Sequence, residues 1–139
     1  MQAGKLMLTR IKKLVDEGES FAFETTLSTR SYTKLINEAK EKGFQVYLLF
    51  FWLHSPQLAV ERVRIRVLEG GHHIPYDVIL RRYKNGLKNF FNLYLSIVDQ
   101  WILINNSGEP YEIIAKNSEG GLAVNDIRIW NTLKQKYDE

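Results

Sequence analysis

Apolar residues recur along this chain in two rhythms. Over residues 3–17 (AGKLMLTRIKKLVDE), Met7, Ile11, Leu14 and Val15 fall at helical spacing and Gly18 follows, so the pattern predicts an amphipathic helix with a glycine stop. Phe21-Ala22-Phe23 predicts a short strand, with Glu24-Thr25-Thr26 at its carboxyl end. Residues 31–42 (SYTKLINEAKEK) return to helical spacing. Ser31 is the candidate N-cap, Tyr32, Leu35, Ile36 and Ala39 form the buried face, and Gly43 is the stop. Phe44 to Leu53 (FQVYLLFFWL) behaves differently. After Gln45 it is continuously apolar, which predicts a central parallel strand covered on both faces.

Ser55-Pro56 then reads as the N-cap and first position of another helix. In it Ala59, Val63 and Val67 form a buried stripe, and Arg62 and Arg66 share the opposite face. Gly70-Gly71 ends that helix, His72 and His73 occupy a loop, and Pro75 opens a second helix expected to reach about Val98. Its core stripe is Ile79, Tyr83, Leu87, Phe90, Tyr94 and Val98, with a bend expected at Gly86. Trp101–Ile104 and Tyr111–Ala115 flank the turn Asn105-Asn106-Ser107-Gly108 and predict an antiparallel hairpin at the sheet edge. Asn125 to Tyr137 predicts a last helix, with Ile127, Trp130 and Leu133 facing inward. The order predicts one α/β domain over residues 1–139, with a parallel sheet, helices on both faces, a C-terminal antiparallel hairpin and a helical lid over 56–98.

Composition narrows the chemistry. A 45% apolar and 25% charged chain of 139 residues can build one core. With no cysteine, disulfides and thiolate metal sites are excluded. His54 is the one histidine beyond the His72-His73 pair, and no carboxylate cluster is spaced to help, so no metal site is expected. Lys5, Arg10, Lys12 and Lys13 interrupt any signal-like run, and Val46–Leu53 is too short to span a bilayer. These patterns predict a cytoplasmic protein without a membrane partner. The net charge of +3 suits anionic ligands. It is modest for nucleic acid, and the aromatics lie in apolar stripes, so no nucleic-acid partner is expected.

The densest chemistry lies in Leu58–Tyr83 (LAVERVRIRVLEGGHHIPYDVILRRY), where five arginines flank the Gly-Gly break. Arginine suits phosphate because its planar fork donates paired hydrogen bonds and keeps its charge. Glu24, Thr25 and Thr26 offer a carboxylate and two hydroxyls, either to hold a substrate hydroxyl or magnesium-bound water, or simply to cap the next helix.

The pattern L-x-x-x-R-V-x-x-R-V-x-x-G-G-H-x-I-P-x-D-V-I-x-R-R, with FAFETTLSTRSY upstream, resembles the zeta-toxin-like family of P-loop kinases. The likeness runs from AGKLMLTRI (residues 3–11) to EGGLAVNDIRIW (119–130). It implies a three-layer P-loop kinase-like sheet and ATP- and Mg2+-dependent phosphoryl transfer to a small molecule. The best-understood zeta toxins phosphorylate UDP-N-acetylglucosamine. By the resemblance, Glu24, Thr25, Thr26 and Arg30 are substrate contacts. Arg62 and Arg66 are the catalytic lid arginines, Gly70-Gly71-His72 is the lid tip, and His72 with Arg81 or Arg82 meets the nucleotide phosphates.

The family's G-x-x-x-x-G-K-[ST] loop does not occur here; the only Gly-Lys pair, Gly4-Lys5, lies inside a predicted helix. The sequence therefore reads as a truncated family member lacking the N-terminal P-loop strand, with little or no activity and doubtful binding of ATP and Mg2+. An open sheet slot is expected where that strand would lie, filled by self-association or by an antitoxin-like partner. The alternative is a non-enzymatic module that binds a phosphate ligand or a protein.

Overall fold

The structure, a computed structural model, describes residues 2–139, with side chains from Gly4 onward. Met1, on which the reading of the chain's start falls, lies outside the described residues. The order is α1 (Gln2–Asp16), α2 (Tyr32–Glu41), β1 (Tyr47–Trp52), α3 (Pro56–Leu68) and α4 (Tyr76–Asn89). A π-helical turn (Phe90–Tyr94) follows α4, and then β2 (Gln100–Asn105), β3 (Glu112–Ser118), β4 (Gly121–Val124) and α5 (Ile127–Tyr137). No described helix is long and apolar enough to cross a membrane.

The helix ends follow their local chemistry. α3 starts where Ser55 Oγ accepts the Leu58 N–H at 3.2 Å, with Pro56 at the first position. It ends where Gly70, at φ +98°, lets the Gly71 N–H reach the Arg66 carbonyl at 2.6 Å. The same closure ends α1 at Gly18 and α2 at Gly43. Ser31 is helical and caps nothing with its side chain, so α2 begins without the expected N-cap bond.

The four strands lie in the order β1-β2-β3-β4. β1 runs parallel to β2, from Tyr47 opposite Gln100 to Trp52 opposite Asn105. β2, β3 and β4 form an antiparallel meander. β4 adds a strand to the expected hairpin, so the unit is three-stranded and β3 is not its edge.

Four expectations about the sheet change. Phe21–Phe23 forms no strand and pairs with none. β1 is an edge strand, because β2 is its single neighbour. The expected slot is closed, since β1 and β2 pair directly over six residues. Finally, β1 is covered on one face, not both. Leu48, Phe50, Trp101 and Leu103 turn toward the helices, whereas Tyr47, Leu49 and Phe51 on the opposite face stay 59%, 53% and 53% exposed.

The covered face is an aromatic layer. Phe90 sits 5.0 Å from Phe50 and 5.7 Å from Trp101, and Trp101 stacks on Trp130 of α5 at 5.6 Å. Leu87, Phe90 and Tyr94 are among the most deeply buried side chains. Each such side chain contributes about 2–3 kcal/mol through burial. Ile127 of α5 is exposed, not inward, while Trp130, Leu133 and Tyr137 face the core.

Candidate functional site

The segment from Glu24 to Arg30 is a hydroxyl-rich loop with carbonyls turned inward. Thr25 Oγ1 accepts the Leu27 N–H at 3.2 Å, and Thr29 Oγ1 accepts the Ser31 N–H at 3.2 Å. Thr26 Oγ1 and Ser28 Oγ bond to each other at 2.9 Å. These threonines shape the loop itself; Thr25 and Thr26 do not cap α2. Leu27 is buried and left-handed at φ +59°, a conformation that non-glycine residues hold only when their surroundings fix it.

What fixes it is α4 and the turn after it. Asn89 Nδ2 donates to the Leu27 carbonyl at 2.7 Å, and the Tyr94 hydroxyl donates to the Thr29 carbonyl at 2.6 Å. One turn earlier on α4, the Thr26 carbonyl lies so close to Gly86 that a Cβ there would approach it to 2.5 Å. Gly86 was expected to bend the helix, but α4 runs unbroken through it. Its missing side chain admits the loop instead. Glu24, Thr25, Thr26 and Arg30 are left exposed on the outer surface of the loop.

Helical spacing separates the two arginines of α4. Arg82, Gly86 and Asn89 stand four and seven positions apart and share the flank that faces the loop. Arg81 falls with Asp77, Lys84 and Lys88 on the adjoining flank, and both arginines are exposed. Tyr83 lies on the inner side of α4, and its hydroxyl donates to the Leu53 carbonyl at 2.6 Å. Burial pushes the Tyr83 phenol up to about 12.

α3 is held more loosely. None of its residues is fully buried, so Ala59, Val63 and Val67 form a half-buried stripe, not a buried one. Arg62 is half-buried and Arg66 exposed. Arg64 pairs with Glu61 through bonds of 3.1 and 2.5 Å, which holds the Glu61 carboxyl below its usual range. His72 and His73 are exposed in the loop that follows. Among the described residues no hydrogen bond or ion pair joins the side chains of Arg62, Arg66, His72, Arg81 or Arg82 to the 24–30 loop. The structure thus joins the loop to the Arg82 flank of α4 by way of Gly86 and Asn89.

Sequence reasoning missed Gly86, Asn89 and Tyr94 as parts of this site. The available signal was a glycine and an asparagine at +4 and +7 from Arg82, on one flank of an otherwise amphipathic helix.

A second concavity of about 500 Å³ is lined by Trp52, His54, Asp126, Arg128, Ile129, Thr132 and Leu133. It lies beyond the carboxyl ends of β1 and β2, where the Asn106 N–H reaches the Trp52 carbonyl at 2.8 Å. Among the described residues no group of three or more His, Asp or Glu side chains could hold a metal ion. Together with the absence of a G-x-x-x-x-G-K-[ST] loop, this donor set does not fit magnesium-bound ATP.

Among the described residues the fold is α/β, with a four-stranded mixed open sheet and five α-helices, consistent with a P-loop-like architecture. Residues 1–119 match the family model of the zeta toxin, and the chain belongs to that family, whose members are generally ATP-dependent. It is also similar to an uncharacterized protein of Haemophilus influenzae, 30% identical over 83 residues. That match covers 60% of this chain, and the chain spans about 59% of the relative's length. No solved structure matches.

Proposed function

We propose that the chain holds a phosphate-bearing small molecule, of the nucleotide-sugar class to which UDP-N-acetylglucosamine belongs, in a site of small-molecule phosphotransferase type. The exposed hydroxyls of Thr25 and Thr26 and the carboxylate of Glu24 would hold the sugar hydroxyls, with Arg30 beside them. Arg82 would meet the phosphates from α4. Arg62 and Arg66 would close on them from α3, where fixed positive charge offsets phosphate charge as it redistributes. The observation that carries this reading is the seating of the Thr26 carbonyl on Gly86, which makes the loop and the arginine-bearing helix one body. In this reading α3 acts as the lid and α4 as the fixed wall beneath it, within a single domain. Turnover of ATP by this chain alone is expected to be negligible, since it has no loop of backbone N–H groups for the phosphates.

A thermal-unfolding titration tests it. At a hundredfold excess over Kd a ligand stabilises by about 2.7 kcal/mol, a rise on the order of 10 °C for a chain this size. The midpoint should climb with UDP-N-acetylglucosamine and stay put with Mg-ATP. Arg82→Ala should abolish the climb and Arg81→Ala should keep it, although both remove one positive charge. An unmoved midpoint with the nucleotide sugar, or equal losses in the two variants, would sink the proposal.

A second reading, a protein-binding module, is favoured by the bare Tyr47, Leu49 and Phe51 face of β1. In this reading an antitoxin-like protein is the partner.

A further inference from the structure

We infer that Asn89 and Tyr94 are positioning residues that set the shape of the 24–30 loop from beneath, and that the π-helical turn places them in register to do so. This rests on the reading of the loop as the substrate-holding element.

The loop cannot hold its own shape. Its hydroxyl bonds all reach only two residues along the chain, and apart from the part-buried bond of Thr25 Oγ1 to the Leu27 N–H they are exposed; such bonds in water exchange readily with solvent. Yet Leu27 keeps a left-handed backbone with its side chain buried. The two long-range bonds that arrest it both come from one helix. Asn89 takes the carbonyl of Leu27, and Tyr94 takes the carbonyl of Thr29, two residues on. In an unbroken α-helix, positions 89 and 94 would lie about 140° apart around the axis, since each residue adds about 100°. The wider π turn lowers the advance per residue and brings Asn89 and Tyr94 toward one side. The aromatic packing of Phe90 on Phe50 and Trp101 pins this turn against the sheet. The loop's outer hydroxyls are therefore set by donors that never touch what the hydroxyls would hold. Gly86 completes the seat by leaving room for the Thr26 carbonyl.

Asn89→Asp separates positioning from mere stability. A protonated carboxyl donates to the Leu27 carbonyl as the amide does; a carboxylate cannot and repels it. Amide exchange and chemical shifts of Leu27, Ser28 and Ser31 should stay native-like in Asn89→Asp at acid pH. They should change as the carboxyl ionises, in a step beyond any that wild type shows. At neutral pH, Asn89→Ala and Tyr94→Phe should speed exchange at these amides about tenfold and weaken UDP-N-acetylglucosamine binding about tenfold, with the unfolding transition still cooperative. Unchanged loop amides in a folded Asn89→Ala protein, or no pH step in Asn89→Asp beyond that of wild type, would overturn the inference. If wild type does not bind the nucleotide sugar, the proposed function falls, and the amide measurements still decide whether Asn89 and Tyr94 hold the loop.

Discussion

α3 and α4 both carry arginines and pack against each other, yet the fold treats them differently. α4 buries Ile79, Gly86 and Leu87 and runs straight into the buried Phe90–Tyr94 turn. α3 buries nothing completely and is secured at its ends, by the Ser55 cap and the Gly70-Gly71 closure. A helix anchored along its length makes a platform. A helix anchored at its ends can tilt at low cost, because few apolar contacts must be remade. In the proposed site this assigns Arg82 to the fixed wall and Arg62 and Arg66 to the moving one.

That contrast can be broken by mutation. Phe90→Ala should cost about 3–5 kcal/mol in urea unfolding, since it empties the centre of the aromatic layer. Val63→Ala on α3 should cost about 1 kcal/mol or less at a half-buried position. Similar losses at the two sites would erase the distinction between platform and moving helix.

The next effect depends on pH. A free tyrosine ionises near pH ~10, and burial raises Tyr83 to about 12 in the folded state. The folded protein thus binds this proton more tightly than the unfolded chain. The contribution is complete below the unfolded pKa and is lost as pH rises through the folded one. Burial of Tyr94 acts in the same direction. Urea midpoints measured across this alkaline range should fall, and Tyr83→Phe should flatten part of the fall. An identical slope in the variant would mean that the α4 phenol is not held as described.

The smallest effect sits at the end of α3. Gly70→Ala places a side chain at φ +98° and should cost about 1 kcal/mol in the same assay. A neutral result would show that the α3 terminus is not fixed in this closure.

Much of this architecture was legible in the sequence where local chemistry decides it. Gly18, Gly43 and Gly70 end their helices as their positions suggest, and Ser55-Pro56 starts α3. The failures share a different cause. The apolar run through Tyr47–Trp52 was read as doubly covered because a sequence shows apolar side chains but not how many layers meet them. Phe21–Phe23 looked like a strand by residue type, yet its rings pack against Phe44 and Tyr32 while its backbone pairs with nothing. For the candidate site, the exposed Glu24–Arg30 segment stood out by its chemistry. Its supports did not, because Asn89 and Tyr94 act on carbonyls about sixty residues away, and helical periodicity holds no record of such a contact.

The parallel pairing of β1 with β2 also bears on the order of assembly. β2, β3 and β4 follow one another through short turns, so the meander can form from neighbours in sequence. β1 meets β2 only after the whole segment from Leu53 to Asp99, with α3 and α4 inside it, has folded back. Closing so long a segment costs entropy before any bond of the parallel pair is made. We expect β3 amides to gain protection before β1 amides in pulse-labelled refolding, with simultaneous protection as the contrary result. The edge strand with the bare apolar face is then the last to dock, and for that interval its six uncharged residues are the part of the chain most open to capture by another molecule.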